Sequence, residues 1–364
     1  MSQPSSSSRA PGKPSPVPAL LGIVALLAAL AGAFAWVGGG FGARLTAQQM
    51  TNTIEAGKPH PGFRRAHAKG VCVAGSFTPS AQAPQLSRAR VFTQANTPIL
   101  GRLSIGGGDP HGADAKARVR SVALLLKTDD GQQWRTAMNS FPFFVVATPE
   151  GFQAQNLASA PDPATGKPDP ARMAAFLDQY PEAKKFMAWA KSAPWSNSWA
   201  NTRFNGVNSF WFTNAAGERH AVRWSLRPQA PFEELSAGQR AQADADFLSE
   251  EFNTRLARGP VKWDLVVTQA REGDPIDDPS QPWPADRTEV VAGTVTFTGT
   301  TPQDSGACRD INYDPTVLPD GMAPSKDPIL AARAAVYSVS FNRRMHEIGT
   351  GQAPAATGAK GETR

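Results

Sequence analysis

Two arginines and a histidine stand close together at positions 64, 65 and 67, in the stretch FRRAHAKGVCVAG of residues 63–75. Arg64 and His67 are three apart, Lys69 and Gly70 make a turn, and Val71, Cys72 and Val73 begin a strand. A histidine at the mouth of a strand can be held by the sheet while its ring faces a cavity, where an imidazole moves protons near neutral pH. The same spacing suits a hydrogen-bonded histidine at a strand edge, and a motif decides nothing until its context agrees. A second stretch, residues 327–349, reads DPILAARAAVYSVSFNRRMHEIG. Proline in its first turn predicts a helix beginning near Asp327, on which Arg333 and Tyr337, four apart, share a face. Tyr337 is one of three tyrosines and sits among Ala334, Ala335 and Val336. A cation beside a buried phenol favours its ionised form, and a phenolate is a hard ligand suited to ferric iron. The alternative is a tyrosine that caps a core beside a solvated arginine.

The elements that must position these groups read mainly as strands joined by hairpins. Residues 43–55 form a short amphipathic helix with Leu45, Met50 and Ile54 on one side. Residues 90–105 are two strand-like pieces broken at Asn96, Thr97 and Pro98. Residues 119–127 are β-rich, closed by the turn Asp129, Asp130, Gly131, and residues 141–146 (FPFFVV) are dense in aromatics. DPARMAAFLDQY and PEAKKFMAWAKSA each open with a helix start signal and predict two short helices over the sheet. A hairpin follows, with strands at 208–213 and 219–226 about the turn at 214–217. A helix over 235–257, entered by Ser236, precedes strands at 263–268 and 290–297. Residues 106–108 are all glycine, but no GK[ST] or helix follows, so a phosphate loop is rejected. Seven or eight strands in hairpins predict an α+β chain built on an antiparallel β-barrel of about eight strands with inserted helices.

Composition narrows the classes. The 364 residues include 32 Pro and 32 Gly, which favours turns, and the net charge is +6 with no run of five basic residues. A nucleic-acid footprint is therefore not supported. The two cysteines, Cys72 and Cys308, make neither a disulfide framework nor a zinc site. Cys72 reads as a small buried hydrophobe, and a bridge between the two is left open. Residues 1–18 are Ser- and Pro-rich and predict a disordered cytoplasmic tail. Residues 19–37 carry no charged or polar side chain except the Trp36 indole, and nineteen residues of helix span roughly 28 Å, close to the hydrocarbon thickness of a bilayer. With the basic residues ahead of it, this segment is expected to anchor the chain in the inner membrane (19–43), with residues 44–364 on the periplasmic side. A cleaved signal is the alternative, cut after Ala33 or Ala35. Residues 350–364 read as a loose tail.

Taken together, these stretches resemble the catalase family, and within it the short, haem-containing branch of catalase-related peroxidases. Catalases carry Arg-x-x-His-Ala-Lys-Gly, and residues 64–70 read RRAHAKG. They carry an asparagine just before a proline and a pair of phenylalanines, here Asn139 ahead of Pro142, Phe143 and Phe144. They carry Arg-x-x-x-Tyr on a helix with a further arginine seven residues on, here Arg333, Tyr337 and Arg344. Lesser matches are Asn96-Thr97-Pro98, Arg102-Leu103-Ser104, Phe152 and the turn at 214–217. The likeness runs from about residue 60 to 349. The chain departs from the family at Ala147, where many catalases have an arginine, and at SVSFNRR (338–344), where larger catalases carry a proline. It also lacks the family's long amino-terminal arm and carboxy-terminal domain, and nothing supports a nicotinamide site.

The resemblance implies haem (ferric protoporphyrin IX) in the barrel, with Tyr337 as axial ligand and His67 as the acid and base on the opposite face. It implies that Arg333 keeps Tyr337 ionised and that Asn139 steadies bound peroxide. Ser104 would hydrogen-bond His67, and Phe152 would stack on the porphyrin. Arg64, Arg344 and Arg102 would pair with the propionates. The expected activity is reduction of organic hydroperoxides, and of hydrogen peroxide, by an organic electron donor through a ferryl state. The open haem edge expected of a chain without wrapping segments favours such donors. The alternatives are a true catalase, a hydroperoxide isomerase, or a membrane-tethered haem or lipid carrier without catalysis. A monomer or weak dimer is expected.

Overall fold

The computed structural model describes residues 17–37, 45–55 and 59–353. The chain divides into two units, the second beginning at Ala47. In the first lies α1 (Val17–Val37), whose Leu20–Val37 window is long and apolar enough to cross a membrane by length and composition. The tails expected at 1–18 and 350–364 lie outside the described residues except for 17–18, which begin α1, and 350–353, and residues 38–43 of the expected anchor lie outside them as well.

The second unit runs α2 (Ala47–Glu55), β1 (Gly70–Pro79), α3 (Ala83–Leu86), β2 (Thr97–Ile105), β3 (Arg120–Lys127), β4 (Gln133–Asn139) and α4 (Pro149–Ser159). It continues α5 (Pro170–Gln179), α6 (Ala183–Ser192), β5 (Phe204–Asn205), β6 (Phe210–Thr213), β7 (Arg219–Pro228), α7 (Ala237–Gln242) and α8 (Phe247–Leu256). It ends β8 (Val261–Gln269), β9 (Glu289–Pro302), β10 (Met322–Pro324) and α9 (Pro328–Gly349). The sheet order β7-β5-β4-β3-β2-β1-β9-β8 returns to its start because β8 also pairs with β7, so eight antiparallel strands close a barrel. Closure removes the free edges that an open sheet would expose. The strands β6 and β10 extend outward from the first half of β7.

Pleat parity decides what faces where, since alternate side chains point to opposite faces. Leu103 and Ile105 of β2, Val122, Leu124 and Leu126 of β3, and Trp134 and Met138 of β4 belong to the central core. There Trp224 stacks on Phe210 with ring centroids 4.3 Å apart, and its indole N–H donates to Thr136 Oγ1 at 2.9 Å. An eight-stranded barrel is just wide enough for side chains to fill it, and this one is filled. The expectation of a haem within the barrel is therefore corrected. The residues of opposite parity, Arg102, Ser104, Ser121, Ala123, Ala137 and Asn139, line a cavity on the outer face.

Several elements differ from the sequence-based expectation. Residues 90–92 form a 3-10 turn, not a strand, and β2 starts only at Thr97. The helix expected over 235–257 is two, α7 and α8, because the chain leaves helical geometry at 243–246. Ser236 does enter it, through a reciprocal capping box with Gln239. The aromatic run at 141–146 leads instead into α4, started by Pro149 and by Thr148, whose Oγ1 accepts from Gly151 N at 3.2 Å. The question left open for the cysteines is answered: Cys72 and Cys308 are bridged across 236 positions, joining β1 to the loop after β9.

The helix expected from Asp327 is α9. Asp327 Oδ1 accepts from Ile329 N at 2.8 Å and Leu330 N at 3.3 Å, capping the first turn. Its Oδ2 accepts from Asn208 Nδ2 at 2.6 Å. That bond fixes the start of α9 against the segment before β6, and so sets where Arg333 and Tyr337 fall.

Candidate functional site

A cavity of about 490 Å³ lies against the outer face of β2, β3 and β4. Met50 and Ile54 of α2, Phe152 of α4, Phe186 of α6 and the inner face of α9 wall it on the other sides. His67, Asn139, Arg64, Ser104, Phe152, Arg333, Arg344 and Tyr337 all line this one space. Every site residue expected from sequence is thus brought together, although the two motifs are about 270 positions apart.

On one side, His67 stands ahead of β1 with φ +54°, among the described residues the one non-glycine in the left-handed region. Such a backbone is uncommon but favoured by histidine over bulkier residues, and here it belongs to a half-buried ring on the cavity wall. Gly70 permits the tight approach that follows, because a Cβ there would lie 2.2 Å from Leu103 O. The Ser121 hydroxyl lies 3.1 Å from His67 Nδ1 and donates to Asn139 Oδ1 at 2.5 Å. A hydroxyl has one proton to give. With that proton on Asn139, Ser121 Oγ accepts from Nδ1–H, and His67 Nε2 is left with its lone pair. Burial, and then the charges of Arg102 and Arg333, push the imidazole down to about 4. The ring is therefore a neutral acceptor at pH 7.

This arrangement corrects one expected contact. Ser121, not Ser104, meets His67. The two serines are cross-strand partners on β2 and β3, so they stand side by side on the same face, and the histidine leans toward β3. Ser104 remains part of the cavity wall. A clue to Ser121 was present, since the alternation Val122, Leu124, Leu126 turns position 121 to the other face. Nothing local ties it to a histidine 54 positions earlier.

On the other side, Arg333 Nη2 donates to Tyr337 Oη at 3.3 Å and to Ala137 O at 3.0 Å. Its Nη1 bonds Asn208 Oδ1, the same asparagine that holds Asp327. Asn208 was not singled out by sequence. It orients the guanidinium, and its position just before β6 explains why no helical spacing could have found it.

Three more arginines converge on the cavity with few acids to meet them. Burial pushes Arg64, Arg102 and Arg344 each down to about 9, and repulsion among them adds to the effect. Arg64 Nη2 donates to the carbonyls of Cys308, Arg309 and Ile311. The buried Nε atoms of Arg102 and Arg344 have no partner. Buried cations with unused donors call for anions. A phenol oxygen beside a cation, phenyl walls at Phe144 and Phe152 with centroids 5.2 Å apart, and unpaired guanidinium donors together fit an iron porphyrin bearing carboxylates.

Comparison with known proteins gives the family and the fold. The catalase family model matches residues 61–353. The chain is 38% identical over 301 residues to a catalase-related peroxidase of Synechococcus elongatus, covering 82% of this chain and 89% of that protein. It is 35% identical over 314 residues to a catalase-related peroxidase of Mycolicibacterium paratuberculosis, covering 85% and 98%. Among solved structures, catalase A from Saccharomyces cerevisiae superposes with a TM-score of 0.71 at 18% identity, over 79% of this chain and 62% of that one. A bacterial catalase gives 0.69 at 20% identity, over 79% and 58%. The chain belongs to the catalase family, in its branch of catalase-related peroxidases, and is an oxidoreductase acting on peroxide.

Proposed function

We propose that this member of the catalase family is a haem-dependent peroxidase. Its substrates are organic hydroperoxides, with hydrogen peroxide as a further one, and the electrons come from an organic donor. The observation that carries the reading is the pairing, in one cavity, of His67, Ser121 and Asn139 on one side with Arg333 and Tyr337 on the other. Relatives named as peroxidases over most of both lengths favour it over catalase activity.

Ferric protoporphyrin IX is the cofactor that suits the site. Tyr337 Oη would ligate the iron, with the Arg333 charge beside it. Arg64, Arg344 and Arg102 would take the propionates, and Phe152 would pack on the macrocycle. When bound, the haem supplies the electrons that break the O–O bond. His67 Nε2 accepts the hydroperoxide proton and returns it to the oxygen that departs as alcohol or water. Ser121 holds the imidazole in the tautomer that this requires. Asn139, with Oδ1 engaged by Ser121, has its amide N–H groups free to donate to a peroxide oxygen. Over the full cycle a hydroperoxide, two electrons and two protons give an alcohol and water.

We also place the barrel beyond a membrane crossed by α1, acting as a monomer or weak dimer. The Cys72–Cys308 bridge supports an oxidising compartment such as the periplasm.

The deciding experiment is an absorption spectrum of the purified full chain, followed by cumene hydroperoxide and a chromogenic donor. Haem bands with oxidised donor are expected. A protein without haem bands overturns the reading. Oxygen evolved from hydrogen peroxide faster than donor is oxidised would make it a catalase. Rearranged hydroperoxide without donor consumption would make it an isomerase, and haem without turnover a carrier.

A further inference from the structure

The segment after β9 is bonded to the barrel at Cys308 and supplies four of the five acceptors that hold Arg64 and Arg102. Arg64 Nη2 donates to Cys308 O at 3.0 Å, Arg309 O at 3.2 Å and Ile311 O at 3.0 Å. Arg102 bonds the Gln303 side chain, and its other acceptor is Ala68 O at 3.0 Å. Ile311 and Tyr313, a little further on, are part of the cavity wall. The cations repel one another, so they must be held in place before any anion reaches them. Backbone carbonyls can do that only if their own segment is fixed.

The disulfide fixes it. Cys308 offers its carbonyl to Arg64 while its sulfur is bonded to Cys72 on β1, and Cys72 lies directly across from Arg102 in the β1–β2 register. The fit is tight, since a Cβ on Gly306 would lie 2.7 Å from Cys72 Sγ. Both cysteines are buried, at 1% and 0% exposure, so the bond is a permanent staple out of reach of thiol reductants in the folded chain.

We propose that Cys72 and Cys308 are a positioning pair: their bond holds the 303–311 segment so that Arg64 and Arg102 are set to receive the carboxylates of the cofactor. This rests on the reading of the cavity as a haem site. Preorganised donors bind better because the ordering cost is met in advance. It assigns the disulfide a role in the site, where sequence left even its existence open.

The test is the rate of haem loss from the full-length holoprotein to excess apomyoglobin, in a double-mutant cycle. Replacing both cysteines by serine should speed haem loss about 10- to 100-fold, the usual effect of removing an outer support. Replacing Arg64 and Arg102 together by alanine should do the same. With both arginines already replaced, removing the disulfide should add little. Should the two effects simply multiply, the staple does not act through these arginines and the proposal is overturned. Should the serine variant fail to fold, Gly306→Ala replaces it in the same cycle, because it pushes the segment off Cys72 while keeping the bond. A wild type that carries no haem overturns both this and the cofactor reading. One that carries haem, with independent effects, overturns this alone.

Discussion

The Ser121 hydroxyl lies 3.1 Å from Nδ1 of His67, and that contact decides which imidazole nitrogen is left to work. Because the same hydroxyl donates to Asn139, the imidazole proton sits on Nδ1 and Nε2 keeps its lone pair, as the proposed role of His67 as base requires. Replacing His67 by Ala should lower turnover about 10²-fold or more. Ser121→Ala should leave the base present but untethered and cost about tenfold, as loss of a support to a working group does. Steady-state kinetics with cumene hydroperoxide measure both, and a Ser121→Ala enzyme of normal rate would refute the tautomer argument.

The pH profile follows from the environment of the same ring. Burial, with Arg102 and Arg333, pushes His67 down to about 4 from an unperturbed value of 6.5. Between those values the unfolded chain binds a proton that the native ring refuses. The contribution of this group to stability is therefore full above pH 6.5 and is lost as pH falls toward 4. The neutral base persists over the same interval, so the acid limb of kcat/KM should lie well below 6.5. A limb at 6.5 would mean that the ring is not held as described.

Tyr337→Phe should abolish or displace the charge-transfer absorption of the haem, since the phenol oxygen is the ligand that the site offers. Arg333→Leu should keep the haem but move that band, because Arg333 Nη2 donates to Tyr337 Oη, the proposed ligand atom. An unchanged spectrum in Tyr337→Phe rules the ligand out.

Asp327 caps α9 and anchors Asn208, so Asp327→Ala breaks three hydrogen bonds at once. Loss of a cap costs about 1 kcal/mol and a buried unsatisfied partner about 1–3 kcal/mol. Thermal melting should drop by several degrees, and, if Tyr337 ligates the haem as proposed, the haem spectrum should broaden with it. A melting point equal to wild type would show that the cap does not hold the helix.

The α1 segment should keep the full chain in the membrane fraction after alkaline carbonate washing, with release only by detergent. Amino-terminal sequencing that began beyond Ala33 or Ala35 would instead identify a removed signal.

Local chemistry was legible without coordinates. Proline after Asp327 and the four-residue interval from Arg333 to Tyr337 act within one helical turn, so the pattern alone places them on one face. Asp129, Asp130 and Gly131, and the turn at 214–217, likewise announce their hairpins. The break between α7 and α8 falls in AQADADF (241–247), where apolar and polar residues alternate at a period of two rather than at helical intervals, a local signal that the expectation of one helix over 235–257 passed over. β5 and β10 were hidden, being two and three residues long, too short for alternation to register.

Amino-acid order alone determined the barrel class, the apolar leading helix and the identity of the groups that could do chemistry, because each depends on neighbours within a turn or a strand. Tertiary structure alone decided that Ser121 rather than Ser104 meets His67, that Asn208 steers Arg333, and that Cys72 is bonded to Cys308. It also decided that the cavity lies outside a packed barrel. Those outcomes depend on strand register and barrel closure, which bring together residues tens to hundreds of positions apart, and no local pattern encodes which of two adjacent strands a side chain will lean toward.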